Sequence, residues 1–132
     1  MSFCLIDSAK FKHNIDLVSK YIDLDKIAFV IKNNAYGHGL INMAQLAKEN
    51  GIKHAVVINC DEASVIKNLF DTILVLSDIP SKTIDKNIHV AINDLDSINK
   101  IPKGSKVELK IDTGMHRIRI PKQFIIVKES SH

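Results

Sequence analysis

The sequence predicts an α/β fold in which βα units surround a parallel sheet, as in a TIM barrel. The predicted strands are short, continuous apolar runs, which is typical of strands buried on both faces. Segments with apolar residues at helical spacing lie between them, so strands and helices alternate along the chain. A doubly wound nucleotide-binding fold is the weaker alternative, because the sequence has no Gly-rich phosphate loop of Rossmann or Walker type.

Five strands are expected, whereas a closed barrel needs eight, so the predicted barrel is incomplete. The strands are expected at residues 27–31, 54–58, 72–76, 89–92 and 106–111, after a short β-prone run at residues 3–6.

Helices are expected between these strands. The first is capped by Asp7 or Ser8, and its apolar face is formed by Phe11, Ile15, Val18 and Ile22. The second covers residues 40–47 and ends at Asn50-Gly51. A third, at residues 62–69, is capped by Asn59 or Asp61, a short helical turn follows at 81–86, and a last helix begins at Asn93 or Asp94.

Composition argues against several classes of partner. The 132 residues carry a net charge of +3, without a basic block or aromatic residues beside basic runs, so no nucleic-acid partner is expected. The longest apolar runs are about five residues, too short to cross a membrane. Residues 1–7 lack the pattern of a secretory signal, and Cys4 and Cys60 are expected to be free thiols in a reducing compartment, the cytoplasm.

A lysine closes the first apolar strand. Lys32 follows residues 27–31 and precedes two asparagines and the turn Gly37-His38-Gly39. Burial removes water from an ammonium group and so favours the neutral amine, which is the form that reacts with aldehydes. The alternative is a lysine whose stem packs on the protein while its ammonium reaches water.

Two blocks of sequence make the chain recognisable. The block from Lys32 to Gly39, Lys-Asn-Asn-Ala-Tyr-Gly-His-Gly, resembles the pyridoxal-phosphate (PLP) lysine motif of bacterial alanine racemases. The block from Leu109 to Arg117 resembles the Asp-Thr-Gly-Met signature of the same family, and weaker matches lie at residues 59–63 and 73–76. The resemblance extends from about Phe3 to Arg117.

The resemblance implies a set of site residues. Lys32 would bind PLP through a Schiff base and move the substrate α-proton on one face, and Tyr36 would bind the cofactor phosphate. Arg117 would contact the phenolic oxygen of PLP and the substrate carboxylate, tasks suited to a planar cation with several donors. Lys110 matches a position that is a carbamylated lysine in many members of the family, where it orients this arginine.

Each assignment has a plainer alternative. Tyr36 can be a loop aromatic without a ligand, and Arg117 can be a solvated side chain. His38 has no second ligand at metal-binding spacing, so a role in the turn is favoured and no metal is expected. Asp112, Thr113 and Gly114 are interpreted as a tight turn held by local side-chain hydrogen bonds. An aspartic-protease site is rejected, because the flanking segments alternate between strand and helix.

The domain prediction has two parts. Residues 1–117 are expected to form part of an N-terminal PLP-binding barrel, and residues 118–132 a divergent tail, with no C-terminal β-domain. The resemblance implies interconversion of L- and D-alanine for peptidoglycan by a homodimer whose opposite-face base is a tyrosine of the partner's β-domain. A chain truncated in this way is expected to be inactive alone. The alternatives are a non-catalytic PLP-binding barrel protein of cofactor homeostasis and a fragment of a degraded gene without function.

Overall fold

The structure, a computed structural model, describes residues 1–112, 114 and 115. Within these residues, five parallel strands form one sheet in the order β1-β2-β3-β4-β5. The strands are β1 (Ala28–Val30), β2 (His54–Val57), β3 (Thr72–Val75), β4 (Ile88–Ile92) and β5 (Lys106–Leu109). The α-helices of this part are α1 (Ser8–Ser19), α2 (Leu40–Glu49) and α3 (Cys60–Ile66), with 3₁₀ helices at Leu24–Lys26 and Asp96–Lys100. The predicted parallel α/β fold with five strands is confirmed.

The hydrophobic core lies between the sheet and the helices α2 and α3. Buried side chains alternate along β3, where Ile73 and Val75 are fully buried and their neighbours are only half-buried. Small residues let the helices approach the sheet closely: Ala44 and Ala47 of α2 and Ala63 of α3 are fully buried. Full burial of each large aliphatic side chain here stabilises the fold by about 1.5–3 kcal/mol.

Helix α1 covers the sheet next to β1 but is only partly covered itself. The Asp7 carboxylate accepts a hydrogen bond from the Lys10 amide at 3.0 Å, which confirms one of the two predicted caps. The Phe11 ring packs edge-on against Phe29 of β1, with 5.6 Å between the ring centroids. Val18, on the same predicted apolar face, is 45% exposed, so that face is only partly buried in the described structure.

The prediction that the first strand is buried on both faces is wrong. In β1, Ala28 and Val30 are exposed and Phe29 is half-buried. Within the described residues β1 is an outer strand that pairs only with β2. Phe29 packs against α1 on one face of the strand, whereas the face that carries Ala28 and Val30 is open. The β-prone run expected at residues 3–6 forms no strand in the described structure.

Three predicted helical segments differ from the observed ones. Residues 81–86 form no helix, since Ile84 is their only large apolar residue. Helix α3 ends at Ile66 and not at residue 69, and the Asn87 side-chain amide donates to the carbonyl oxygens of Lys67 and Phe70 just beyond the helix. The last predicted helix is the 3₁₀ segment Asp96–Lys100.

The described helices include none that is long and apolar enough to cross a membrane.

Candidate functional site

Lys32 and Lys110, two residues of the predicted site, lie at one edge of the sheet. Because all five strands are parallel, their carboxyl ends lie at the same edge, which is where functional residues of βα proteins are found. Lys32 follows β1 and Lys110 follows β5 at this edge. The two strands are the outer strands of the described sheet, four strand spacings apart, or about 19 Å along the sheet. The structure thus places both lysines at the carboxyl edge of the sheet, one after each outer strand.

Lys32 begins a short segment of unusual backbone conformation, Lys32–Tyr36, here called the lysine turn. Asn33, Asn34, Ala35 and Tyr36 all have left-handed backbone angles, with φ between 52° and 54°. Asparagine tolerates this conformation, whereas alanine and tyrosine adopt it at a cost of about 1–2 kcal/mol per residue. Conformations of this kind persist only where the surrounding structure holds them, and they concentrate at functional sites.

Asn34 is the centre of the hydrogen bonding in the lysine turn. Its carbonyl oxygen accepts from the amides of Gly37 and Gly39, each at 3.0 Å. Its side-chain oxygen accepts from the Leu40 amide at 2.8 Å and so caps the start of α2. Gly37 and Gly39 have φ values of 90° and 97°, which glycine adopts without strain. Asn34 therefore connects the turn, the Gly-His-Gly segment and helix α2.

Glu62 of α3 reaches the lysine turn from a neighbouring βα unit. Its Oε1 atom accepts a hydrogen bond from the Asn34 amide at 2.7 Å, and its Oε2 atom accepts from the Ile58 amide at 3.1 Å. The Glu62 amide in turn donates to the Asn59 side chain at 2.8 Å, which identifies Asn59 as the helix cap. Sequence reasoning missed this role of Glu62, although the spacing Asn59-x-x-Glu62 resembles a capping box and marks Glu62 as a hydrogen-bonding residue.

Two polar side chains of the lysine turn, those of Lys32 and Tyr36, have no partner among the described residues. Lys32 is half-buried, and within the described residues its amine has neither a hydrogen bond nor an ion pair. The Tyr36 side chain is 59% exposed, and its hydroxyl group likewise has no partner in this part of the chain. His38 instead serves the turn, as expected, since its Nδ1 atom donates to the Ala35 carbonyl at 2.9 Å.

Cys60, at the start of α3, has a thiol of low reactivity. Its partial burial, together with the nearby Asp78 carboxylate, raises the pKa of the Cys60 thiol to about 12. The Asp78 carboxylate also accepts a hydrogen bond from the Cys60 amide at 2.9 Å. A thiol that stays protonated is a poor nucleophile, so the structure agrees with a packing role for Cys60.

The second sequence block is described only in part. The Asp112 side chain accepts from the Gly114 amide at 2.9 Å, which is the local hydrogen bond expected for a tight turn. Thr113 and Arg117 lie outside the described residues. In the described part of the chain, no three His, Cys, Asp or Glu residues are grouped so as to hold a metal ion.

Comparison with known proteins identifies the family. Residues 6–123 match the family model for the alanine racemase N-terminal domain, and the match continues past Arg117. The chain belongs to the alanine racemase family. The alanine racemase of a Nitratiruptor species is 47% identical over 118 residues, which cover 89% of this chain and 35% of that protein. The chain thus spans about a third of the length of this curated relative.

Solved structures share the architecture. The alanine racemase from Corynebacterium glutamicum superposes with a TM-score of 0.75 at 25% identity, over 89% of this chain and 38% of the other. A histidine racemase from Leuconostoc mesenteroides subsp. sake superposes with a TM-score of 0.71 at 27% identity, over 86% of this chain and 34% of the other. The predicted resemblance and the barrel type of the fold are confirmed. Since racemases of two different amino acids share this fold, the fold alone does not determine the substrate.

Proposed function

We propose that this chain provides the PLP-binding part of an amino-acid racemase that interconverts L- and D-alanine, with Lys32 as the residue that binds the cofactor. The observation that carries the proposal is the Lys32 amine. Lys32 is half-buried and lies two residues after β1 at the carboxyl edge of the sheet, and its amine has no partner among the described residues. In a chain of the alanine racemase family, an amine placed in this way supports a covalent link to an aldehyde cofactor.

The groups of the lysine turn fit PLP. The cofactor carries an aldehyde and a phosphate, which call for an amine and for hydrogen-bond donors. Lys32 offers the amine, and Tyr36, four residues along the same turn, offers a phenol hydroxyl that has no partner in the described structure. The same short left-handed turn carries both groups.

Lys32 and Tyr36 have different roles in the proposed racemisation. When bound, PLP supplies an electron sink for negative charge at the α-carbon of the substrate. Lys32 takes a proton from the α-carbon, or returns one to it, on one face of the substrate. Tyr36 donates a hydrogen bond to the cofactor phosphate.

Two further residues are assigned on the resemblance alone. Arg117 binds the substrate carboxylate and the phenolic oxygen of the cofactor, and Lys110 orients Arg117. Lys110 is half-buried, and its backbone amide donates to Ile92 at 3.1 Å, so its backbone is fixed at the end of β5.

The opposite face of the substrate needs a second proton-transferring group. The tyrosines of this sequence are Tyr21, which lies just after α1 and is 90% exposed, and Tyr36, which belongs to the lysine turn itself. Neither is on a separate element that faces Lys32. We propose that a partner subunit of a homodimer supplies this group, and that the protein acts in the cytoplasm, as membership of the family implies.

An absorption spectrum tests cofactor binding. Addition of PLP to the purified chain is expected to produce a visible band that disappears when borohydride reduces the link. The Lys32→Ala variant is expected to lose the band, whereas Lys48→Ala, which removes an exposed lysine of α2, keeps it. Equal bands in the wild type and in Lys32→Ala would mean that Lys32 is not the cofactor lysine.

A turnover assay tests the need for a second base. Residues 1–132 alone, with excess PLP, are expected to form D-alanine at least a hundredfold more slowly than an ordinary enzyme, because loss of a general acid–base group costs about 10²–10⁴ in rate. D-alanine is measured after incubation with L-alanine. Turnover near an ordinary rate of about 10 per second would show that a second base exists within these residues.

A further inference from the structure

Glu62 hydrogen-bonds to the lysine turn from a different βα unit. Among the described residues, it is the only one outside the segment from Ile31 to Leu40 whose side chain hydrogen-bonds to this turn. The hydrogen bond goes to the Asn34 amide, at the middle of the left-handed run and two residues from Lys32.

The Glu62 carboxylate is itself held in place. Its second oxygen accepts from the Ile58 amide, directly after β2, and its backbone is capped by Asn59. The next residue, Ala63, is fully buried and anchors this end of α3 against the sheet. Glu62 thus links the lysine turn, which follows β1, to β2 and α3.

The charge of Glu62 is directed at the backbone. Within the described residues Glu62 forms no ion pair, so both carboxylate oxygens serve backbone N–H groups. Hydrogen bonds to an ionised acceptor are about twice as strong as those between neutral groups. An ordinary capping-box glutamate reaches back to the amide of its own cap residue, whereas Glu62 reaches past Asn59 to Ile58 and to a different βα unit.

We propose that Glu62 is a positioning residue for Lys32: its carboxylate holds the lysine turn in the left-handed conformation that presents the Lys32 amine. The proposal rests on the proposed function of Lys32, but it concerns a residue that does not itself touch the cofactor. It predicts that removal of the carboxylate changes the turn and the reactivity of Lys32 before it changes the rest of the fold.

The first measurement is backbone hydrogen exchange in the full 132-residue chain. The variant Glu62→Gln keeps the shape of the side chain but places an amide N–H against one of the two backbone donors. We expect the Asn34 amide to exchange about tenfold faster in Glu62→Gln. The Ile73 amide, which donates to Asn87 at 2.9 Å, is expected to be unchanged. The matched control is Asp61→Asn, which removes the same charge from the adjacent, exposed residue of α3.

The second measurement is the distribution of borohydride-trapped PLP between Lys32 and the exposed Lys48, determined by peptide mapping. A role in general stability alone does not change this ratio in folded protein. We expect the Lys32-to-Lys48 ratio to fall about tenfold in Glu62→Gln and further in Glu62→Ala, and to stay unchanged in Asp61→Asn. If Glu62→Ala fails to fold, Glu62→Gln alone decides.

The outcomes separate this inference from the proposed function. An unchanged ratio in Glu62→Gln overturns the positioning role, even if Asn34 exchanges faster. If the wild type gives no label on Lys32, the proposed function is wrong, and Asn34 exchange alone then decides whether Glu62 holds the turn: an unchanged rate overturns that as well.

Discussion

The two outer strands of the sheet carry the two lysines of the predicted site, but they are built differently. Beside the outer strand β1, Phe29 packs against α1, and the lysine turn donates a hydrogen bond to Glu62 of the next βα unit through the Asn34 amide. In the outer strand β5 all four residues are exposed. The connection from β4 to β5 contains only the short 3₁₀ helix Asp96–Lys100. The comparison shows that the position of a site residue depends on the elements packed around its strand, and not only on the place of that strand in the sheet.

The largest difference between the two edges is expected in stability. Phe29→Ala in β1 removes a half-buried ring that packs on Phe11, and we expect it to lower the free energy of unfolding by about 2–4 kcal/mol. Leu109→Ala in β5 removes a side chain that is 54% exposed, and we expect a change below about 1 kcal/mol. Urea denaturation of both variants measures the contrast, and equal losses would show that β5 is packed as firmly as β1.

A smaller contrast is expected for the polar contacts that support each edge. Asn59→Ala removes the cap of α3, next to Glu62, and is expected to destabilise the fold by about 1 kcal/mol. Glu108→Ala removes the 2.9 Å contact between Glu108 and His89 of β4, a pair at the surface, and is expected to change stability by less than about 0.5 kcal/mol. The shift of the urea midpoint measures both effects, and a larger loss for Glu108→Ala would reverse the comparison.

Much of this fold was predictable from the sequence. Apolar runs located the first four strands, and the capping preferences of Asp7 and Asn59 located the starts of α1 and α3. The burial of β1 was not predictable, because a run of five apolar residues has the same appearance in a central strand as in an outer one. Burial depends on which strands and helices lie beside the run, which local sequence does not contain.

The site was predictable only as a set of residues. The motif marked Lys32 and Tyr36, but nothing local to Ala35 and Tyr36 favours their left-handed geometry, with φ values of 52° and 54°. The hydrogen bond between Glu62 and Asn34 joins residues 28 positions apart, and such contacts leave no periodic trace in a single sequence. The roles of Lys32, Tyr36, Lys110 and Arg117 remain predictions.

The central claim is that PLP binds to Lys32 at the β1 edge, and peptide mapping of the reduced PLP adduct tests it most directly. The wild-type chain is incubated with PLP, reduced with borohydride and digested, and the labelled lysines are identified, with Lys32→Ala and Lys110→Ala as matched variants. We predict that the label concentrates on Lys32, persists in Lys110→Ala and is lost in Lys32→Ala. Label on Lys110, label spread over the exposed lysines, or label undiminished in Lys32→Ala would contradict the account.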